Sequence, residues 1–168
     1  MTELAPVSSP RLFNTPLECG FRLLFVLSAT RPHAHDLQRL VSYDYLLVHS
    51  GDVKSGPPSL HPAVPHRGSE WIIKRDLVDT GLRLVFARDL INKTLSVRGI
   101  TYSGTDMTKA FVDLMSSGYA EELRRRAAWI VEEFSATTDG ELQAFMSERV
   151  GQWGAEFERL AALSDFDL

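Results

Sequence analysis

Residues 42–70 read SYDYLLVHSGDVKSGPPSLHPAVPHRGSE, and the fold turns on them. The stretch begins inside one helix and ends at the start of another. Between Val48 and Ser69 stand Gly51, Gly56, Pro57, Pro58, Pro62, Pro65 and Gly68. Proline lacks a backbone donor and glycine lacks conformational restraint, so their density here excludes regular structure. A connection this long within a compact domain is functional or tied down by its own side chains. It carries three of the five histidines, His49, His61 and His66, with Asp52, Arg67 and Glu70 nearby.

Working outward, Asn14-Thr15-Pro16 opens a first helix. Asn14 or Thr15 can cap it, and Pro16 suits its first turn. Leu17, Phe21, Leu24, Phe25 and Leu27 make that helix apolar over much of its circumference, so it belongs at the centre, and Pro32 ends it. Asp36 caps a second helix over 37–49, whose apolar stripe is Leu37, Leu40, Val41, Leu47 and Val48. Ser69 starts a third, to about Arg88. Leu95, Val97, Ile100 and Tyr102 then alternate about Arg98-Gly99, which predicts a hairpin over 91–97 and 100–103. Helices follow over 106–116, 119–134 and, after Thr137-Thr138-Asp139-Gly140, 141–163. The expectation is a mainly α protein with a small β-hairpin. Its parts are a flexible lead (1–12), a core domain (13–134) and a C-terminal helical appendage (135–168).

The chain has 168 residues, 44% of them hydrophobic, which suits a folded domain and argues against disorder. Cys19 has no second cysteine to pair with, in keeping with a reducing cytoplasm. The opening MTELAPVSSPR shows no basic region followed by an apolar run, so no signal peptide is expected, and no segment is apolar enough to span a membrane. The formal net charge is −4. Residues 1–134 hold 16 basic and 15 acidic groups, whereas 135–168 hold 2 and 7. An autonomous nucleic-acid binder is normally basic because phosphate contacts dominate its affinity, so DNA contact is expected only to be weak or indirect.

Asp44 interrupts the apolar stripe of the second helix. A buried carboxylate needs a partner, and Arg67 or the loop histidines are nearest in sequence. The favoured reading is a structural clasp of Asp44, His49, Asp52, His61, Arg67 and Glu70 that pins the loop to the helix; a catalytic acid is the alternative. The histidine spacing matches no known metal-binding pattern, so neither metal nor cofactor is expected. No phosphate-binding loop or nucleophile elbow occurs, and no catalytic residue is assigned. On the third helix, Arg75 and Arg83 alternate with Asp76 and Asp79, which suits a solvated or protein-facing surface better than a groove reader. Lys74, Lys93 and Arg98 could still touch a DNA backbone. Arg124-Arg125-Arg126 is flanked by Glu121 and Glu122, the spacing of a paired helix surface. In the last helix Phe145, Met146, Trp153, Phe157 and Leu160 share one face, yet Gly151 and Gly154 weaken it, so it must dock on something; a partner surface is favoured over its own core.

The stretch DYLLVHSGD, then SLHPAVPHRGSEW, together with FNTPLECGFRLLFVL upstream and GITYSGTDMTKAFVDLMSSGYAEELRRRAAWIVEEF downstream, resembles the middle component of bacterial ABC-three-component systems. Some of those systems are anti-phage loci of the Lamassu type. The resemblance runs from about Phe13 to Phe134. It implies a winged-helix-like core and a non-catalytic cytoplasmic accessory subunit that couples an SMC-like ATPase to an effector, often a nuclease, in anti-phage or anti-plasmid defence. A winged-helix DNA-binding regulator and a small metal-dependent enzyme using the loop histidines are the alternatives.

Overall fold

The computed structural model describes residues 14–63, 67–97 and 99–149, with the side chains of residues 67–72 excepted. Helix α1 (Pro16–Ala29) opens on a capping box: Thr15 Oγ1 accepts from the Glu18 amide, and the Thr15 amide donates to Glu18 Oε2 at 2.9 Å. Strand β1 (Ala34–Asp36) leads into α2 (Leu37–Val48), where the Asp36 carboxylate accepts from the Arg39 amide at 2.7 Å. A 3₁₀ turn (Ser50–Asp52) begins the long connection, which runs to α3 (Arg67–Phe86). Strands β2 (Ile91–Ser96) and β3 (Gly99–Gly104) form the hairpin, with Gly99 at φ 107°, a left-handed conformation that favours glycine. Thr105 caps α4 (Asp106–Asp113), and Ser117 caps α5 (Gly118–Phe134). A last helix, α6, spans 139–149.

The mainly α class with a small hairpin is thus observed. One element was not foreseen. Strand β1 adds to the hairpin, giving an antiparallel sheet in the order β1-β3-β2, with His35 opposite Tyr102. Three residues are too few to show a period-two alternation.

Helix α1 is central, and Cys19 and Leu23–Leu27 are buried. It crosses α3 at glycines. A Cβ on Gly81 would lie 2.4 Å from Pro16 O and 2.7 Å from Gly20 N, closer than any real Cβ approaches. The two backbones therefore meet directly, with Val85 packed close against Gly20. Helix α2 is buried from Leu40 to Val48.

The C-terminal helix corrects one expectation. Leu142 and Met146 are buried in the same core as α1 and α2, and Phe145 packs against Phe134 with ring centroids 5.6 Å apart. Met146 is therefore closed to a partner: it faces inward because α6 turns back onto α5. Trp153, Phe157 and Leu160, read as partner contacts, lie outside the described residues, as do residues 1–12. Arg39 fixes the turn. Its Nη2 donates to Phe134 O and Thr137 O at 2.9 and 2.7 Å, its Nη1 meets Asp139 Oδ1 at 2.5 Å, and its Nε donates to Tyr43 Oη at 2.8 Å. The break between α5 and α6 is thus held at Phe134, Thr137 and Asp139 by one side chain.

Candidate functional site

The site is built around Asp44. It is fully buried, and its carboxylate takes two parallel hydrogen bonds from Arg22: Nε to Oδ1 at 2.9 Å and Nη2 to Oδ2 at 3.0 Å. Lys74 Nζ reaches Oδ2 at 3.1 Å. Arg22 and Lys74 are themselves only 3% and 2% exposed. The three groups come from α1, α2 and α3, so one carboxylate ties three helices together. Arg22 Nη2 also donates to Asn14 Oδ1 at 3.3 Å and to Cys19 Sγ at 3.2 Å. Lys74 Nζ lies 5.5 Å from the centroid of the Tyr45 ring.

The electrostatics follow from burial and pairing. Burial alone would raise the Asp44 pKa, but Arg22 and then Lys74 outweigh it and hold the carboxyl well below the usual range. Burial would lower the pKa of Arg22, and Asp44 reverses that. Burial, then Asp44, pushes the Cys19 thiol up to about 12, so Cys19 is an inert core thiol. Two cations face one carboxylate, and the cluster carries one excess positive charge.

Of the expected clasp residues Asp44, His49 and His61 are buried, and the cations described on Asp44 are not the ones expected. Asp44 is held by Arg22 and Lys74, from elements far off in sequence, and the loop histidines stand one layer away. His49 and His61 are buried, with ring centroids 6.3 Å apart, and His49 packs on Tyr45 at 4.8 Å. Asp52 accepts from the Tyr45 hydroxyl at 2.6 Å. His61 Nε2 lies 3.0 Å from Tyr119 Oη. Burial, then Arg22, His49 and Lys74, lowers the His61 pKa to about 4, so the ring is neutral near pH 7. Arg67 and Glu70 belong to the first turn of α3, and their side chains are outside those described.

The long loop is tied down mainly by backbone. The Leu60 and His61 amides both donate to Val48 O, at 2.9 and 3.1 Å. Ser50 Oγ donates to Pro58 O at 3.2 Å, and Arg126 Nη2 donates to the same carbonyl. A Cβ on Gly56 would sit 2.1 Å from Ser50 O, so only glycine fits beneath the turn.

Lys74 corrects a second expectation. Its ammonium points into the protein and is committed to Asp44, so it does not offer itself to a DNA backbone. Lys93 is exposed on β2, its Nζ 5.9 Å from the Phe86 ring centroid, and Arg98 lies outside the described residues. Several other surface cations are engaged: Arg75 with Gln38 at 2.9 Å, Arg83 with Asp79 at 2.5 Å, Arg124 with Glu121 and Arg125 with Glu122. Among the described residues no three His, Cys, Asp or Glu side chains gather as a metal site.

Arg22 and Tyr119 were missed from sequence. Arg22 had a visible signal, since it stands within the apolar run FRLLFVL and a buried guanidinium demands a carboxylate as surely as the reverse. Tyr119 had none. It borders a cavity of about 360 Å³ beside the cluster, with Phe21, Arg22, Phe25, His61 and Leu123 among its walls.

The model of the family "ABC-three component (ABC-3C) system Middle Component 2" matches residues 12–156, and the chain belongs to that family. No curated protein and no solved structure matches it.

Proposed function

We propose that this middle component is a non-catalytic adaptor, coupling an SMC-like ATPase to an effector subunit in a cytoplasmic defence complex of the Lamassu type. The family match across residues 12–156 carries the reading, because a middle component belongs to a system of several components. The candidate site supports it: Asp44, the one deeply buried carboxylate among the described side chains of that stretch, spends its oxygens on Arg22 and Lys74 and so serves to hold helices together. No helix among the described residues is long and apolar enough to cross a membrane.

The order of three helices and a hairpin supports a winged-helix core. The connection between α2 and α3 is far longer than the 3–4-residue turn of a DNA-reading helix-turn-helix. Arg75 and Arg83 of α3 are engaged with Gln38 and Asp79. These features favour the adaptor over the regulator.

The test is co-expression with the adjacent reading frames and a tag on this chain. The expected result is co-purification of an ATPase and an effector, with weak, non-selective binding of duplex DNA by the chain alone. Submicromolar, sequence-selective DNA binding at physiological salt, without any partner, would overturn the adaptor in favour of the regulator.

A further inference from the structure

An open groove of about 480 Å³ lies where α6 meets the start of the long loop. Val53, Phe134 and Phe145 give it an apolar lining, and Lys54, Glu133 and Arg149 carry its charges. Val53 belongs to the turn that begins the loop. Its amide donates to Ser50 O at 3.1 Å, and its carbonyl accepts from the Gly56 amide at 2.8 Å. The groove therefore opens over the stretch on which the fold turns.

Helix α6 arrives at this groove with one face inward. Leu142 and Met146 are buried and Phe145 and Arg149 half-buried, while its other residues are exposed. That is the spacing of one helical stripe. Along it the contacts pass from the core to the loop. Arg149 Nη1 donates to Asp52 O at 3.4 Å, and its guanidinium lies 5.2 Å from the Phe145 ring centroid. Four residues on, the next position of the same stripe is Trp153, followed by Phe157 and Leu160.

Charge points the same way. Lys54 and Glu133 have no ion-pair or hydrogen-bond partner among the described residues. Two cations against one carboxylate leave the groove positive by one. Residues 150–168, outside those described, hold Glu156, Glu158, Asp165 and Asp167 against Arg159 alone. A segment that leaves from the rim of an apolar, positive groove, carrying aromatic residues and excess negative charge, complements it on both counts.

We infer that this groove receives the chain's own segment after α6, with the Trp153 indole against Val53, Phe134 and Phe145. The segment straps the start of the loop, and a partner that reaches Val53–Ser55 must first displace it. Trp153 thereby has its site within the chain rather than on a partner surface. The inference stands apart from the adaptor reading.

The test uses the full chain without partners. The emission of Trp153 is the difference between wild type and Trp153→Phe. It should be shifted to the blue and protected from acrylamide relative to the urea-unfolded chain, equally at low and high protein concentration. Trp153→Asp should speed hydrogen exchange at the Val53 and Gly56 amides and leave α1 unchanged. Lys54→Glu keeps the apolar wall and reverses the charge beside it, so part of the acrylamide protection should be lost. Val97→Asp, at the exposed hairpin tip, should lose none.

Should Trp153→Asp unfold the chain, quenching in wild type and Lys54→Glu decides alone. Trp153 as open to acrylamide in the folded chain as in urea would overturn the inference and leave the groove to another component. Protection that appears only as protein concentration rises would overturn it in favour of a second copy. Protection indifferent to Lys54→Glu, with loop exchange indifferent to Trp153→Asp, would seat Trp153 elsewhere, and the inference falls. The adaptor reading, tested by co-purification, survives each of these results.

Discussion

Two junctions in the molecule join helices by opposite means. At the α1–α3 crossing, Gly20 and Gly81 bring two backbones into contact, and Arg22, Asp44 and Lys74 lie beside them out of reach of water. At the α5–α6 turn, Arg39 spreads over two carbonyls, a carboxylate and a phenol nearer the surface. The first junction tolerates neither the loss of its one carboxylate nor an added Cβ, because nothing solvates a group left unpaired and backbone cannot give way. The second is made of separate hydrogen bonds that water can replace, so its loss should be graded and local.

The largest expected effect breaks the first junction by charge. Asp44→Ala leaves two cations buried without a carboxylate and should cost about 3–5 kcal/mol, read as a fall in denaturation midpoint. Lys74→Met sharpens the same point, since it keeps the bulk and removes the excess charge. It should change stability by less than about 1 kcal/mol, in either direction. A Lys74→Met variant as unstable as Asp44→Ala would show that the ammonium is needed for more than charge balance.

Next comes shape. Gly81→Ala forces a Cβ against the backbone of Pro16 and Gly20, where no rotamer change can relieve it. A loss of about 3 kcal/mol is expected, at the upper end for overpacking. The second junction should respond less. Arg39→Ala should cost about 1–3 kcal/mol, with hydrogen exchange accelerating in 139–149 well before α1. Equal acceleration in both would mean that the two junctions unfold as one unit.

The pH response tests burial rather than a single contact. His35 and His61 each have a folded pKa lowered to about 4, first by burial, from an ordinary value of 6.5. The unfolded chain therefore binds more protons between those values. Stability is full above pH 6.5 and declines as pH falls towards 4; the Asp44 pair weakens only at still lower pH, because its folded pKa is depressed. A fall of melting temperature from pH 7 to 4.5 is expected, reduced in His61→Gln. A flat profile would place His61 in contact with solvent.

Much of the local structure was legible in sequence because it is set by neighbouring residues. Asp36 caps α2 as read, and Gly99 allows the hairpin turn. Arg124 and Arg125 are paired on their own helix surface. Asp44 was also legible as a buried carboxylate, because it falls among apolar residues at helical spacing.

By itself the sequence determined the succession of helices, the hairpin, the loop that could be nothing regular, and the fact that Asp44 needed a cation. Only the tertiary structure decided which cation. Arg22 lies 22 residues from Asp44, and Lys74 arrives on α3 after the long loop. Sequence proximity favours Arg67 and the loop histidines, but pairing inside a core depends on which helix faces meet. The same holds for β1, for Met146 turned inward, and for the pocket under Tyr119. Each is a product of packing, and packing is set by long-range burial that no local pattern records.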